Sequence, residues 1–155
     1  MNKIVQKDVP ATMDVYQYGG SAGGVAAGLA AFANAKLVSG ISYFLDVVQF
    51  EGDLKNADLV ITAEGKLDNQ TLEGKGPFGV AQKALQHDIP VVILAGAVPA
   101  GFTRELHQSF GAIFPINNEP VSLDDAMSNT ASNLERTAFE IGNLLALNIL
   151  KRKNK

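Results

Sequence analysis

Between Thr62 and Lys75 the chain sets Glu64, Lys66, Asp68, Gln70, Thr71, Glu73 and Lys75, side chains that can hold or move charge. The carboxylates Glu64, Asp68 and Glu73 could hold a magnesium ion or take a proton from a substrate hydroxyl. Lys66 and Lys75 could neutralise a phosphoryl group in transfer, with Gln70 and Thr71 orienting the substrate. A merely hydrophilic connection would explain polar residues, but this stretch is long for its class and mixes both signs beside Gly65, Gly74 and Gly76.

What must position these groups is legible on either side. Leu59-Val60-Ile61 is an apolar run of the kind a fully buried parallel strand needs. Pro77 sits where a helix should open, a position at which a missing N–H costs nothing. Strand, polar loop and helix in that order put chemistry at the carboxyl end of a strand, where open α/β sheets bind ligands.

A second candidate is the turn Gly19-Gly20-Ser21-Ala22-Gly23-Gly24, set between a possible strand (Asp14 to Tyr18) and an alanine-rich helix (Val25 to Ala35). Glycines let backbone N–H groups approach a phosphate or carboxylate, and the helix start adds partial positive charge. A tight turn with close helix packing accounts for the same glycines. No Gly-Lys-Ser/Thr follows, so this is not a Walker A loop, and Tyr18 stands where the dinucleotide fingerprint needs glycine. His87 and His107 are isolated and there is no cysteine, which argues against zinc; Ser21 lacks the context of a nucleophile elbow.

Along the rest of the chain helices and strands alternate. Val25, Leu29 and Phe32 recur at helical spacing and predict one buried helix face. Ile41 to Val48 fits a strand or a strand breaking into a helix, and Glu51 to Ala57 a short amphipathic link. Pro77 to His87 is helical, Pro90 to Ala95 is the strongest buried-strand signal, and Phe102 to Phe110 is a short helix stopped by Gly111. Ala112-Ile113-Phe114 is a strand, and Pro115, which cannot donate to a ladder, places it at an edge or ends it there. Ser122 caps a last helix with an acidic first turn. Run from Leu123 to Leu150, that helix would be about 42 Å long, with Gly142 its weak point. The pattern predicts a three-layer α/β/α fold with a mainly parallel sheet, as one domain over residues 1–155.

Composition narrows the function classes. The 155 residues are 46% hydrophobic and 19% charged, a globular balance. Thirteen basic and sixteen acidic residues give a net charge of −3, and the only basic cluster, Lys151 to Lys155, reads as a solvated helix end rather than a nucleic-acid site. No run is apolar enough to span a bilayer, no secretory signal opens the chain, and the lack of cysteine fits a cytoplasmic protein. Met1 to Asp8 reads like the last turns of a helix whose start is missing, so the chain is expected to be the C-terminal part of a longer protein.

The motifs together resemble the type I glycerate kinases. That family shows a G-S/A-G-A-A-G-G turn before an alanine-rich helix, then A-D-L-V-I-T-G-E-G-R-L-D, then Q-T-x-x-G-K-x-P-x-G-V-A. Here the corresponding runs are Gly19 to Gly24, Ala57 to Asp68, and Gln70 to Ala81, and similarity extends from about Asn2 to Leu147. Ala63 and Lys66 depart from the family's glycine and arginine; lysine keeps the charge but loses the planar fork.

The resemblance implies ATP- and magnesium-dependent phosphorylation of D-glycerate, usually giving 2-phosphoglycerate, by an enzyme of two α/β domains, one Rossmann-like, with the site in the cleft between them. It implies that Gly19 to Gly24 face substrate or phosphate, and that Glu64, Asp68, Gln70, Thr71 and Lys75 line the cleft, with Lys66 a further candidate for binding substrate or phosphate. Side-chain chemistry favours Asp68 as base or metal-linked carboxylate and Lys75 for phosphate neutralisation, with Glu64 beside them. The family's chains are more than twice as long, so an N-terminal segment is the expected partner, and uncovered apolar surface would favour self-association. The competing readings are a nucleotide- or anion-binding module without catalysis and a sugar-phosphate isomerase using the glycine turn.

Overall fold

The structure, a computed structural model, describes residues 18–68, 71, 74–99 and 104–147. The chain divides into two compact units, Met1–Gln49 and Phe50–Lys155.

In the first unit the glycine turn leads into helix α1 (Val25–Ala33), and α2 (Gly40–Val47) follows. The possible strand before the turn lies outside the described residues, apart from Tyr18. The expected buried face of α1 is not observed: Ala27 and Ala30 are buried, while Val25, Leu29 and Phe32 are exposed, Phe32 at 73%. The large side chains share a helical stripe, but nothing among the described residues covers it. The segment open between strand and helix is helix α2, because Ser39 caps it by accepting the N–H of Ser42 (3.4 Å). Leu45 is its buried residue; Tyr43, Phe44 and Val47 are exposed.

The second unit holds α3 (Phe50–Leu54), β1 (Val60–Lys66), α4 (Gly76–Leu85), β2 (Val91–Ala97), α5 (Arg104–Ser109), β3 (Ala112–Pro115), α6 (Leu123–Ser128) and α7 (Thr130–Ala146). The strands form a parallel sheet in the order β1-β2-β3, with Val60 opposite Val91 and Val92 opposite Ala112. Strand β2 is central, and its period-two alternation divides the core. Val91, Ile93 and Ala95 pack with Leu54, Ala81, Ala84, Leu106 and Phe110 from the α3–α4–α5 side. Leu94, with Val92 beside it, packs against Ile141 and Leu134 of α7 and against Ile116. Helices on both faces of a parallel sheet are the predicted three-layer architecture.

Three expectations change. Strand β1 is not buried throughout: Ile61 is 51% exposed, because within the described residues β1 is an edge and α7 packs against β2 and β3. The strand also runs on through Glu64 to Lys66, so the polar loop begins at Leu67 rather than Thr62. The last helix breaks at Asn129, not at Gly142, which stays within α7. Asn129 Nδ2 donates to the carbonyl of Asp125 (3.0 Å) and Thr130 Oγ1 to that of Ala126 (3.0 Å), so side chains satisfy the end of α6 and the chain changes direction there. Among the described residues β3 is an edge strand that ends at Pro115, and the Ser122 cap is as expected; Ser122 Oγ accepts from Asp125 N at 3.1 Å. No helix among the described residues is long and apolar enough to cross a membrane.

Candidate functional site

The charged loop is built on an anchor. Leu67, fully buried, is pinned to β2 by its N–H to the carbonyl of Ala97 (2.9 Å), which fixes where the chain leaves the sheet. Asp68 and Thr71 then bond each other twice through side chains. Asp68 N–H donates to Thr71 Oγ1 (3.1 Å), and Thr71 N–H donates to Asp68 Oδ1 (3.2 Å). Thr71 Oγ1 in turn donates to Glu64 Oε2 (3.2 Å), and Thr71 is wholly buried. A buried hydroxyl that both accepts and donates is satisfied, and it fixes the orientation of Glu64 on β1.

Lys75 arrives from the other side. Gly74 takes φ +95°, a left-handed turn that glycine enters without steric cost. Lys75 then caps α4, of which Gly76 is the first residue and Pro77 the second, still within the first turn where an N–H is not needed. Its ammonium lies 3.5 Å from Glu64 Oε1 and 3.4 Å from Asp68 Oδ1. Desolvation works hardest against that charge, yet Asp68 and then Glu64 outweigh it and hold the Lys75 pKa above the ordinary lysine value of 10.5. Glu64 is 18% exposed, Asp68 38% and Lys75 37%, so the triplet is half-open to a ligand.

Glu64, Asp68, Thr71 and Lys75 are thus brought together at the carboxyl end of β1. Lys66 stands at the last position of that strand. Gln70, and with it Glu73, lies outside the described residues. Thr71, expected to touch substrate, has both sides of its hydroxyl committed to Asp68 and Glu64. Positive φ occurs at Tyr18, just before the Gly19 to Gly24 turn, and at Ala22, Gly23 and Gly24 within it, with no side-chain cap on α1. Ser21 N–H donates to Tyr18 O (3.1 Å), closing the turn on itself.

Sequence reasoning missed a second feature on the α7 side of the sheet, a cleft of about 690 Å³ at the carboxyl ends of β1 and β2. Beside it Asn117 Nδ2 donates to Gly96 O (2.7 Å), Asn133 Nδ2 to Asn117 Oδ1 (2.9 Å), and Arg136 to Ile116 O (2.6 Å) and Asn133 Oδ1 (3.0 Å). This chain of bonds ties α7 to the ends of β2 and β3. No local signal marks it, because Asn117 and Asn133 lie sixteen residues apart and no periodicity links them.

Residues 1–146 match the glycerate kinase family. A glycerate kinase of Halalkalibacterium halodurans is 42% identical over 122 residues, which cover 79% of this chain and 32% of the relative. One from Neisseria meningitidis serogroup B is 39% identical over 140 residues, 90% of this chain and 37% of the relative. The crystal structure of a protein from Salmonella typhimurium LT2, provisionally named glycerate kinase 2, superposes with a TM-score of 0.67 at 34% identity, over 94% of this chain and 37% of that one. The chain therefore spans about a third of the length of the curated relatives it matches.

Proposed function

The chain belongs to the glycerate kinase family, and from that premise we propose that it supplies the charged half of a site transferring a phosphoryl group from ATP to D-glycerate, giving 2-phosphoglycerate. The observation that carries this reading is the bracketing of Lys75 by Glu64 and Asp68 at the end of β1. Phosphoryl transfer asks a protein mainly for positioning and for charge complementarity, and this triplet offers both signs on a scaffold locked by Thr71. Asp68 would accept the proton of the attacking hydroxyl or serve as the metal-linked carboxylate, and Lys75 would offset charge on the transferred group.

Magnesium fits the donor set. It takes oxygen ligands and is commonly held by one or two carboxylates together with substrate phosphates and water. Glu64 and Asp68 would hold it, and when bound it would neutralise phosphate charge. Lys66, Gln70 and the Gly19 to Gly24 turn are the further groups proposed to meet phosphate or substrate.

Activity is proposed to need an N-terminal segment of the same enzyme. The exposed stripe of Val25, Leu29 and Phe32 on α1 supports this, as does the third-length match to relatives. Cytoplasmic location and self-association through such uncovered surface belong to the same reading. The test is ADP release from MgATP and D-glycerate, by this chain alone and with the N-terminal segment added. Activity in the mixture that Asp68→Asn abolishes is the expected result. No turnover from a folded, associated mixture would refute the kinase reading and leave a binding module.

A further inference from the structure

Strand β2 is regular up to Ala95 and then turns over. In a parallel strand, carbonyls two residues apart face the same neighbour. Val91 O and Ala95 O obey this on the β3 side, where they accept the N–H groups of Gly111 (2.8 Å) and Ile116 (2.9 Å); Pro90 O faces β1 and accepts from Val60 (3.0 Å). Ala97 O should therefore face β3, yet it accepts the N–H of Leu67, just past β1 (2.9 Å). Strand β1 turns over with it. Val60 and Leu67 are an odd number of residues apart, so a regular strand would send their side chains to opposite faces, but both pack in the core on the α4 face. The turnover falls where Gly65 and Gly96 meet. A Cβ added at Gly96 would stand 2.6 Å from Gly65 O, so glycine alone fits there.

The Gly96 carbonyl, at the turning point, is held from the β3 side by Asn117 Nδ2 (2.7 Å). The orientation of that amide is dictated from α7. Arg136 has donors only, so Asn133 must present its oxygen to the guanidinium (3.0 Å) and its Nδ2 to Asn117 Oδ1 (2.9 Å), which leaves Asn117 Nδ2 for Gly96. Arg136 also donates to Ile116 O (2.6 Å), one residue before Asn117. Fastening α7 to the sheet would need no more than that bond and the packing of Leu134 and Ile141; the two asparagines carry the chain of bonds on to Gly96.

Resting on the kinase reading, we propose that Asn117 is a positioning residue for the charged loop, acting through the Gly96 carbonyl, with Asn133 and Arg136 fixing its orientation. Without the Asn117 bond, the alternation of β2 returns Gly96 O to β1, where Lys66 N–H is its regular partner, and the buried Leu67 N–H loses Ala97 O. Asp68 follows Leu67 directly, and its bonds to Thr71 and Lys75 depend on where the chain leaves the sheet. Side chains on the α7 side thus set distances among charges on the α4 side.

The test is amide hydrogen exchange of this chain and of Asn117→Asp, which keeps the size and the acceptor for Asn133 but sets an oxygen against Gly96 O. Protection of Leu67 N–H should fall about tenfold or more, while Val60 and Gly111, bonded in the regular part of the sheet, stay within about twofold. Desolvation lowers the pKa of Lys75, but Asp68 and Glu64 hold it above 10.5; in the variant it should titrate closer to 10.5, as followed by its ε-methylene NMR signals. Equal loss at all three amides, no loss at Leu67, or an unmoved Lys75 titration would overturn the proposal. Should Asn117→Asp not fold, Asn133→Ala, which frees the Asn117 amide to rotate, must show the same selective loss at Leu67, and full protection there is equally fatal. Turnover with the N-terminal segment added separates the two readings. None from the unsubstituted chain refutes the kinase reading and leaves the exchange result standing. Turnover undiminished in a variant that has lost Leu67 protection refutes the positioning role.

Discussion

The two faces of the sheet are finished differently. On the α4 face the strands are sealed by Leu67, Ala81, Ala84, Leu106 and Phe110, and the polar groups at the rim are bonded to one another in a closed set. On the α7 face only Leu94, Ile116 and Ile141 are buried together, and β1 lies open there from Ile61 to Gly65 on alternate residues. One face holds charges in fixed places; the other leaves room. The difference teaches that charges held at fixed distances need a packed base under them, whereas a cleft remains where small residues line an uncovered strand.

Substitutions can sharpen this contrast. The largest stability effect should come from Phe110→Ala, about 3–5 kcal/mol on the sealed face, read by denaturant unfolding; a loss near 1 kcal/mol would mean that this core is not the close-packed one. Ile141→Ala on the other face should cost about 2 kcal/mol, the low end for such truncations, because its surroundings can collapse into the adjacent space. A larger loss there than for Phe110→Ala would reverse the comparison.

Thr71→Val should cost about 1–3 kcal/mol, since it strands the Asp68 N–H and one oxygen of Glu64 at a buried position. Its activity loss in the proposed assembled enzyme should exceed that of Thr71→Ser, which keeps the hydroxyl and its bonds, because the freed Glu64 no longer has one orientation. Equal activities would show that Thr71 does not position the site.

The smallest effects are in pH. The folded pKa of Lys75 is raised, so the stability its charge contributes is fully present below the unfolded lysine value near 10.5 and is lost as pH rises through the folded value. Glu51 runs the other way. Lys83 first, and then His87, lower its pKa from 4.5, so its contribution is present above that value and is lost as pH falls through the folded one. Lys75→Met should remove the alkaline arm and Glu51→Gln should reduce the acid arm, each followed by unfolding midpoint against pH. An alkaline arm that survives Lys75→Met would assign it to another group.

Much of this was legible beforehand because it is local. The Ser122 cap, the edge strand ended by Pro115 and the buried run from Val91 to Ala95 each rest on one residue type in one conformation. The charged loop was found by its composition, and Glu64, Asp68 and Lys75 do converge. The errors share a different cause. Val25, Leu29 and Phe32 have the spacing of a buried face, but periodicity says which residues share a side and not whether anything covers that side. The helix break at Asn129 was missed because it depends on side chains bonding back to the preceding turn, which glycine at 142 does not do.

By itself the sequence determined the alternation of strands and helices, the parallel sheet and the residues that carry charge, since periodicity, caps and turns act within a few residues. Only the tertiary structure decided that Thr71 is a buried brace, that Lys75 lies between two carboxylates seven and eleven residues before it, and that β1 is open on one face. Those outcomes depend on which strand lies beside which and where each helix stops. The same holds for the cleft, because the close approach of Gly65 and Gly96 joins residues that no local pattern relates.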